Sequence, residues 1–456
     1  MRHGRKFRRP RRDKGTILIV TMWIVLVLVG LVLVLARSMK TEVVCSANDF
    51  SSLQADAVEQ GAIQYVLTHV DSANRQAYGE AVGEMPQDIN MPCELVRVGA
   101  GAFWIIRPNF DDSTQYAFGL TDEASKVNLN TAGLPMLSLL PDMTSELAPC
   151  IIDWRSTGST PSSGGAKSEY YLTLSDPYNC KSAPFETVEE LFLVKGATRQ
   201  IIYGEDLNRN GVLDPGEDTS GDGILDYGIL PFVTVYSAEP NTDADGKARV
   251  NVNNRQALAS LLTKTFSSAR SGEVMGRLAR VPTLRSVLDF YVRSGLTATE
   301  FQSVADHLTA GAGNVQRGLI NVATAPKQVL ACLPGLTDSD IASLMSKRTD
   351  TTIDPTNLAW VVQALTGPKA QAIGSLITTR AFQFSADIVS VSADGRAFRR
   401  CVIVVDARTS PPKVVYRQDL TRLGWPLDPN IITQLRAGVT LDSFARAQTA
   451  VQEAIR

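Results

Sequence analysis

The chain has 456 residues, 44% hydrophobic, 7% aromatic and 20% charged. That is a globular balance with room for about three domains, and it excludes a wholly disordered, collagen-like or polytopic membrane protein. The net charge of -2 hides an asymmetry: the first fifteen residues hold eight Lys or Arg against Asp13 alone, so the remainder is acidic and a poor general nucleic-acid binder. Three scattered histidines (His3, His69, His307) make a histidine-dependent active site hard to build.

Residues 16–36 (TILIVTMWIVLVLVGLVLVLA) carry no charge. As a helix they span roughly 32 Å, enough to cross a bilayer core. The basic run before them is expected to stay cytoplasmic, which predicts a single-pass membrane protein with the bulk of the chain exported. A cleaved secretory signal fits badly: the apolar run is too long, and Arg37-Ser38-Met39-Lys40 follows it where a small-x-small site belongs. A plain signal anchor is one reading. Gly15, at the border between basic leader and apolar run, offers another. Apolar positions continue through Val43, Val44, Ala47, Phe50, Leu53, Ala57, Ala62, Ile63, Val66 and Leu67 without a proline, so one helix is predicted from residue 16 to about 70.

Residues 93–107 and 114–120 alternate and read as strands. The next β-rich block comes much later, at 382–391, 396–406 and 413–420, with Asp394-Gly395 as a hairpin signal. The predicted organisation is therefore an α+β domain of residues 37–125 and 376–428, split by a mostly helical insertion, 126–375. Residues 429–456 read as a C-terminal helix or loosely held tail, and Gly424-Trp425-Pro426 as a turn anchoring the sheet edge.

The insertion contains a weak repeat. Val127-Asn128-Leu129-Asn130, Val250-Asn251-Val252-Asn253 and Ile320-Asn321-Val322-Ala323 each lead into an apolar helix that asparagine is expected to cap. Leu140-Pro141-Asp142-Met143, Leu333-Pro334-Gly335-Leu336 and Val194-Lys195-Gly196-Ala197 resemble the hairpins of helix–hairpin–helix units. None has the glycine pair whose N–H groups approach a phosphate in DNA-binding versions, which argues against nucleic acid. Cys150 and Cys180 flank a Ser/Gly-rich loop, 156–168. Six cysteines in an exported chain allow 15 complete pairings. Cys150–Cys180 is the expected bridge, contributing ~3–4 kcal/mol by loop closure; the alternative is buried thiols. Cys45 is expected to stay unpaired.

Residues 206–217 (DLNRNGVLDPGE) fit D-x-[DN]-x-[DN]-G-x5-E throughout. Asp206, Asn208 and Asn210 supply side-chain oxygens, Gly211 the sharp turn, Val212 a carbonyl, Asp214 the ninth position and Glu217 two closing oxygens. All-oxygen chemistry points to Ca2+ rather than zinc or copper. A second run, Asp218, Ser220, Asp222, Ile224 and Asp226, lacks the closing carboxylate because its twelfth position is Ile229. It is read as a weak site, one that borrows an outside acid, or a sharer of the first ion. No Gly-x-Ser-x-Gly, phosphate loop or dinucleotide fingerprint is present, so no enzyme is expected.

The basic leader, Lys14-Gly15-Thr16 and the uninterrupted helix resemble a type IV prepilin leader and pilin spine. Counted from Thr16, the fifth position is Val20, where pilin-like proteins usually carry glutamate. With the large insertion and the calcium loop, this resembles the K-type minor pseudopilin of type II secretion. The resemblance implies a pilin-like fold split by the insertion, and cleavage between Gly15 and Thr16 by a prepilin peptidase, with methylation of the new terminus. It further implies assembly with I- and J-type minor pseudopilins and the major pseudopilin on an inner-membrane platform, Ca2+ in the insertion, and a role at the fibre tip rather than catalysis. The rival readings are a minor pilin of a type IV pilus and a membrane-anchored DNA receptor.

Overall fold

The computed structural model describes residues 14–78, 91–350, 353–444 and 446; most of the basic leader (1–13) and the end of the C-terminal tail lie outside them. One helix, α1, runs Lys14–Tyr78, 65 residues or about 97 Å at 1.5 Å per residue. It is long and apolar enough to cross a membrane over its first part, where large hydrophobics from Ile17 to Leu35 stand exposed. Farther along, Ala55, Val58, Ala62, Ile63, Val66 and Val70 recur three or four residues apart and are buried.

The chain then forms β1 (Val96–Val98) and β2 (Gly101–Arg107). The single strand expected over 93–107 is a hairpin instead, because Gly99 adopts φ +59° and turns the chain. The short strands β3 (Ala117–Phe118) and β4 (Thr121–Asp122) follow, and β3 pairs with β2.

The insertion holds three units closed in one manner. In the first, β5 (Val127–Asn128) pairs in parallel with β6 (Val233–Thr234). After β7 (Ala238–Pro240), the second pairs β8 (Val250–Asn251) with β9 (Leu308–Thr309). Then β10 (Val315–Arg317) returns to β7, and the third unit pairs β11 (Ile320–Asn321) with β12 (Ile377–Thr378). Each opening strand ends in Asn and each closing strand in Thr. The asparagines do not cap helices, as the sequence suggested. Asn128, Asn251 and Asn321 close Asx turns, accepting from the N–H two residues on at 2.9, 2.9 and 3.1 Å. Thr234, Thr309 and Thr378 hydroxyls do the same at 3.0–3.1 Å. The second asparagine of two units is a clamp: Asn130 meets both backbone groups of Phe185, and Asn253 both of Leu284. Helix pairs inside the units turn at left-handed residues: Asp142 (φ +52°) and Gly196 (φ +84°) in the first, Gly335 (φ +84°) in the third.

The chain re-enters the sheet with β13 (Gln383–Val391), β14 (Phe398–Asp406) and β15 (Lys413–Asp419), giving the order β1-β2-β13-β14-β15. Asp394-Gly395 makes the expected β13–β14 turn, with Gly395 at φ +63°. The central contact, β2 on β13, joins the segments before and after the insertion. One sheet face (Phe103, Ile105, Phe384, Ala386, Ile388, Cys401, Ile403, Val405) packs on α1. Arg417–Glu59 at 2.5 Å and Arg399 on Asp56 tie the rim of that seam. The opposite face bears Trp104, Ile106, Val389 and Val391, covered by Leu427, Ile432, Leu435 and Leu441. The tail is thus not loose at its start: helix Pro429–Arg436 docks there. Trp425 sits on this face rather than at the sheet edge, edge-on to Trp104 at 5.8 Å and Phe398 at 5.6 Å.

Candidate functional site

Residues 205–227 form a loop with a closed neck. Glu205 N donates to the Asp226 carbonyl at 2.8 Å and Ile229 N to Ile201 at 2.9 Å. Gly204 and Gly228, both left-handed, let two backbones meet so closely that a Cβ on Gly204 would stand 2.1 Å from the Asp226 oxygen.

Inside, the expected ligands fold around one another. Asp206 is buried; its Oδ1 accepts from Asn210 N at 3.0 Å and its Oδ2 from Gly211 N at 2.9 Å. Glu217 is buried at the far end, accepting from Leu207 N at 3.0 Å and Asp214 N at 3.1 Å. Asn208 Nδ2 and Asn210 Nδ2 both rest on Asp214 Oδ2, at 2.6 and 2.9 Å. Gly211 makes the turn at φ +74°. Val212, the expected carbonyl donor, is buried. Burial first, then the nearby Glu217 charge, pushes the Asp206 carboxyl up to about 6, and Arg400 opposes that rise.

Among the described residues, no three His, Cys, Asp or Glu side chains group closely enough to hold a metal unaided. The loop instead brings two amides onto one carboxylate, so their N–H dipoles stand where positive charge is favourable. Rotating the Asn208 amide by 180° would offer its oxygen in place of its nitrogen, whereas Asn210 is fixed by Val212 N on its oxygen and by the Pro426 carbonyl on its nitrogen. Three carboxylates, two amides and a carbonyl match the hard-oxygen preference of Ca2+.

The second run repeats the turn chemistry. Asp218 accepts from Gly221 N (2.6 Å) and Gly223 N (3.1 Å), Asp222 from Ile224 N (2.8 Å) and Asp226 from Gly228 N (2.9 Å). Ser220 and Ile224 are exposed. Glu205, which the sequence did not single out, lies against this run. Its Oε1 accepts from Thr219 N, Thr219 Oγ1 and Ser220 N at 2.6–2.8 Å. The Thr219 hydroxyl, with these amides, holds its carboxyl below the usual range.

The expected Cys150–Cys180 bridge is not formed, and all six cysteines are free thiols. Both side chains are buried but turned to carbonyls: Cys150 Sγ lies 3.6 Å from the Gly164 oxygen, Cys180 Sγ 3.7 Å from that of Asp153. The Ser/Gly-rich segment is held without it. Ser162 N donates to Asp153 at 2.9 Å, and the buried Lys167 ammonium donates to the carbonyls of Asp153 and Ser156. Asp153-Trp154-Arg155 packs at a helix end as expected, with Arg155 donating to the carbonyls of Leu129 and Ala132. Gly15 and Thr16 lie in the first turn of α1.

Residues 128–203, the greater part of the first insertion unit, match the family described as type II secretion system (T2SS), protein K. No curated protein matches the chain. A solved structure similar to it is the GspK-GspI-GspJ complex from the enterotoxigenic Escherichia coli type 2 secretion system, at 11% identity and a TM-score of 0.40, over 84% of this chain and 99% of that one. The chain carries the protein K signature of type II secretion at residues 128–203, and it resembles a K-type minor pseudopilin.

Proposed function

We propose that the chain is a minor pseudopilin at the tip of the type II secretion pseudopilus. The observation that carries this reading is the protein K match in a chain that also has an exposed apolar helix and a sheet interrupted by that same segment. It works by assembly rather than catalysis. Prepilin peptidase cuts between Gly15 and Thr16, the new terminus is methylated, and Ile17–Leu35 remain in the inner membrane. Just above, Met39, Val43, Val44, Phe50 and Leu53 are also exposed. Buried against sister helices they would contribute about 1.5–3 kcal/mol each. The sister helices are those of I- and J-type minor pseudopilins, and then of the major pseudopilin, on the inner-membrane platform. Val20 brings no carboxylate into the bilayer and so needs no neighbouring amine. That suits a subunit with nothing above it, and the broad insertion blocks addition there.

Within the insertion, Asp206, Asn208, Asn210, Val212, Asp214 and Glu217 are the residues to hold a structural Ca2+. Asp218, Ser220, Asp222, Ile224 and Asp226, with Glu205, offer a second, weaker place. A bound cation would join carboxylates that otherwise repel and would lock the loop. Cys45, exposed on α1, provides the test. A thiol-directed photocrosslinker on Cys45 in secreting cells should yield adducts with I- and J-type subunits. A homopolymeric ladder of this chain would contradict the tip position.

A further inference from the structure

The candidate calcium loop is gripped from outside by a side chain of the sheet. Arg400 on β14 is wholly buried. Its Nε and Nη2 fork onto Asp387 of β13 at 3.0 and 2.7 Å. Nη1 donates to the Asn208 carbonyl and Nη2 to the Arg209 carbonyl, both at 2.6 Å. Four bonds on a five-donor guanidinium nearly satisfy it, and two of them belong to the loop. A trans peptide points its C=O and N–H in opposite directions. Holding the Arg209 carbonyl outward therefore aims the Asn210 N–H inward, where it meets Asp206 Oδ1 at 3.0 Å and Asn208 Oδ1 at 2.9 Å. Arg209 itself sits at φ +61°, a conformation unfavourable for a side chain of its size unless the surroundings impose it.

Further contacts join the same loop to the chain flanking the sheet. Asn210 Nδ2 donates to the Pro426 carbonyl at 2.9 Å, Leu213 N to Ser113 at 2.9 Å, and Arg209 to Gln418 of β15 at 3.1 Å. Gly211 lies against Pro108 so tightly that a Cβ would come within 2.6 Å of its Cα.

We propose that Arg400 is a positioning residue for the calcium loop, and that through it ion binding is coupled to the seating of the insertion on the sheet. The inference rests on the calcium reading above. Because coupling is reciprocal, loosening the grip must weaken ion binding by the same factor that ion binding tightens the grip.

The test uses the full chain in detergent, titrated with Ca2+ and followed by hydrogen exchange. Wild-type protein should bind Ca2+ and gain amide protection in β13 and β14 as well as in the loop. Arg400→Lys keeps the charge but loses the fork; it should weaken Ca2+ binding about tenfold. Saturating Ca2+ should then protect the variant's loop without protecting the strands. Asp206→Ala should lose the tighter binding and the protection that goes with it. Unchanged affinity in Arg400→Lys, or wild-type protection confined to the loop, overturns the role of Arg400 while leaving the calcium reading intact. A wild-type chain indifferent to Ca2+ ends both. Should Arg400→Lys fail to fold, the wild-type exchange pattern alone decides.

Discussion

The sheet is held to the spine helix α1 and to the insertion loop at 205–227 by different chemistry. Towards α1 the seam is apolar, with Phe103, Ile105, Phe384, Ile388 and Ile403 meeting Val58, Ala62, Ile63 and Val66. Towards the loop at 205–227 it is polar, built on Arg400, Asp387 and backbone carbonyls. An apolar seam supplies strength and tolerates volume-conserving exchange. A buried ion pair adds little net stability, yet removing one partner is costly, so it fixes position more than it adds strength. The spine is attached firmly; the insertion is attached in one orientation.

Five variants can break or sharpen that contrast. Phe384→Ala empties the middle of the apolar seam and should cost about 3–5 kcal/mol in denaturant unfolding of the full chain. Asp387→Ala leaves the Arg400 guanidinium buried without its carboxylate and should cost about 3 kcal/mol, whereas the double variant Asp387→Leu/Arg400→Met should recover much of it. A double variant as damaged as the single would make the polar seam a source of strength and dissolve the contrast.

A smaller effect depends on pH. Asp122 on β4 bridges sheet and insertion, accepting from Asn321 Nδ2 at 2.8 Å and Thr324 Oγ1 at 2.6 Å. Burial pushes its carboxyl up to about 6, against the pull of the Thr324, Ala124 and Asn321 hydrogen bonds. The folded state therefore holds this proton more tightly than the unfolded chain. Its contribution is complete below pH ~4 and is lost as pH rises through 6, with a slope of about 1.4 kcal/mol per pH unit between the two values. Asp122→Asn should flatten that slope; an unchanged slope would show that other groups set it. Smallest of all, Asn253→Ala removes a clamp internal to the insertion and should cost about 1–2 kcal/mol without moving the sheet, read as unaltered exchange in β13 and β14.

Much of this architecture was legible because period and punctuation are local. Alternation in 383–391, Asp394-Gly395 and the proline-free apolar run each state their own structure. The hairpin inside 93–107 was hidden because Gly99 was read as one more strand residue. The threonine that closes each insertion unit lies 57–106 residues from its asparagine, as in Asn321–Thr378 and Asn128–Thr234, and two-residue parallel ladders have no period to detect. The tight turns of the 206–217 loop were legible from spacing alone. Arg400 was not: side chains alternate along a strand, so Arg399-Arg400 puts one arginine on each face, and only folding shows that Arg400 faces two loop carbonyls. Glu205 was passed over because it precedes the motif it serves. The cysteines misled because both Sγ atoms are buried facing backbone carbonyls, which spacing in sequence does not reveal.

The central claim is that this chain becomes a fibre subunit once its basic leader is removed. N-terminal mapping of the protein from cells that carry prepilin peptidase tests it most directly. The account predicts a methylated terminus at Thr16, and leader retention in Gly15→Ala. A wild-type protein still beginning upstream of Gly15 would contradict it.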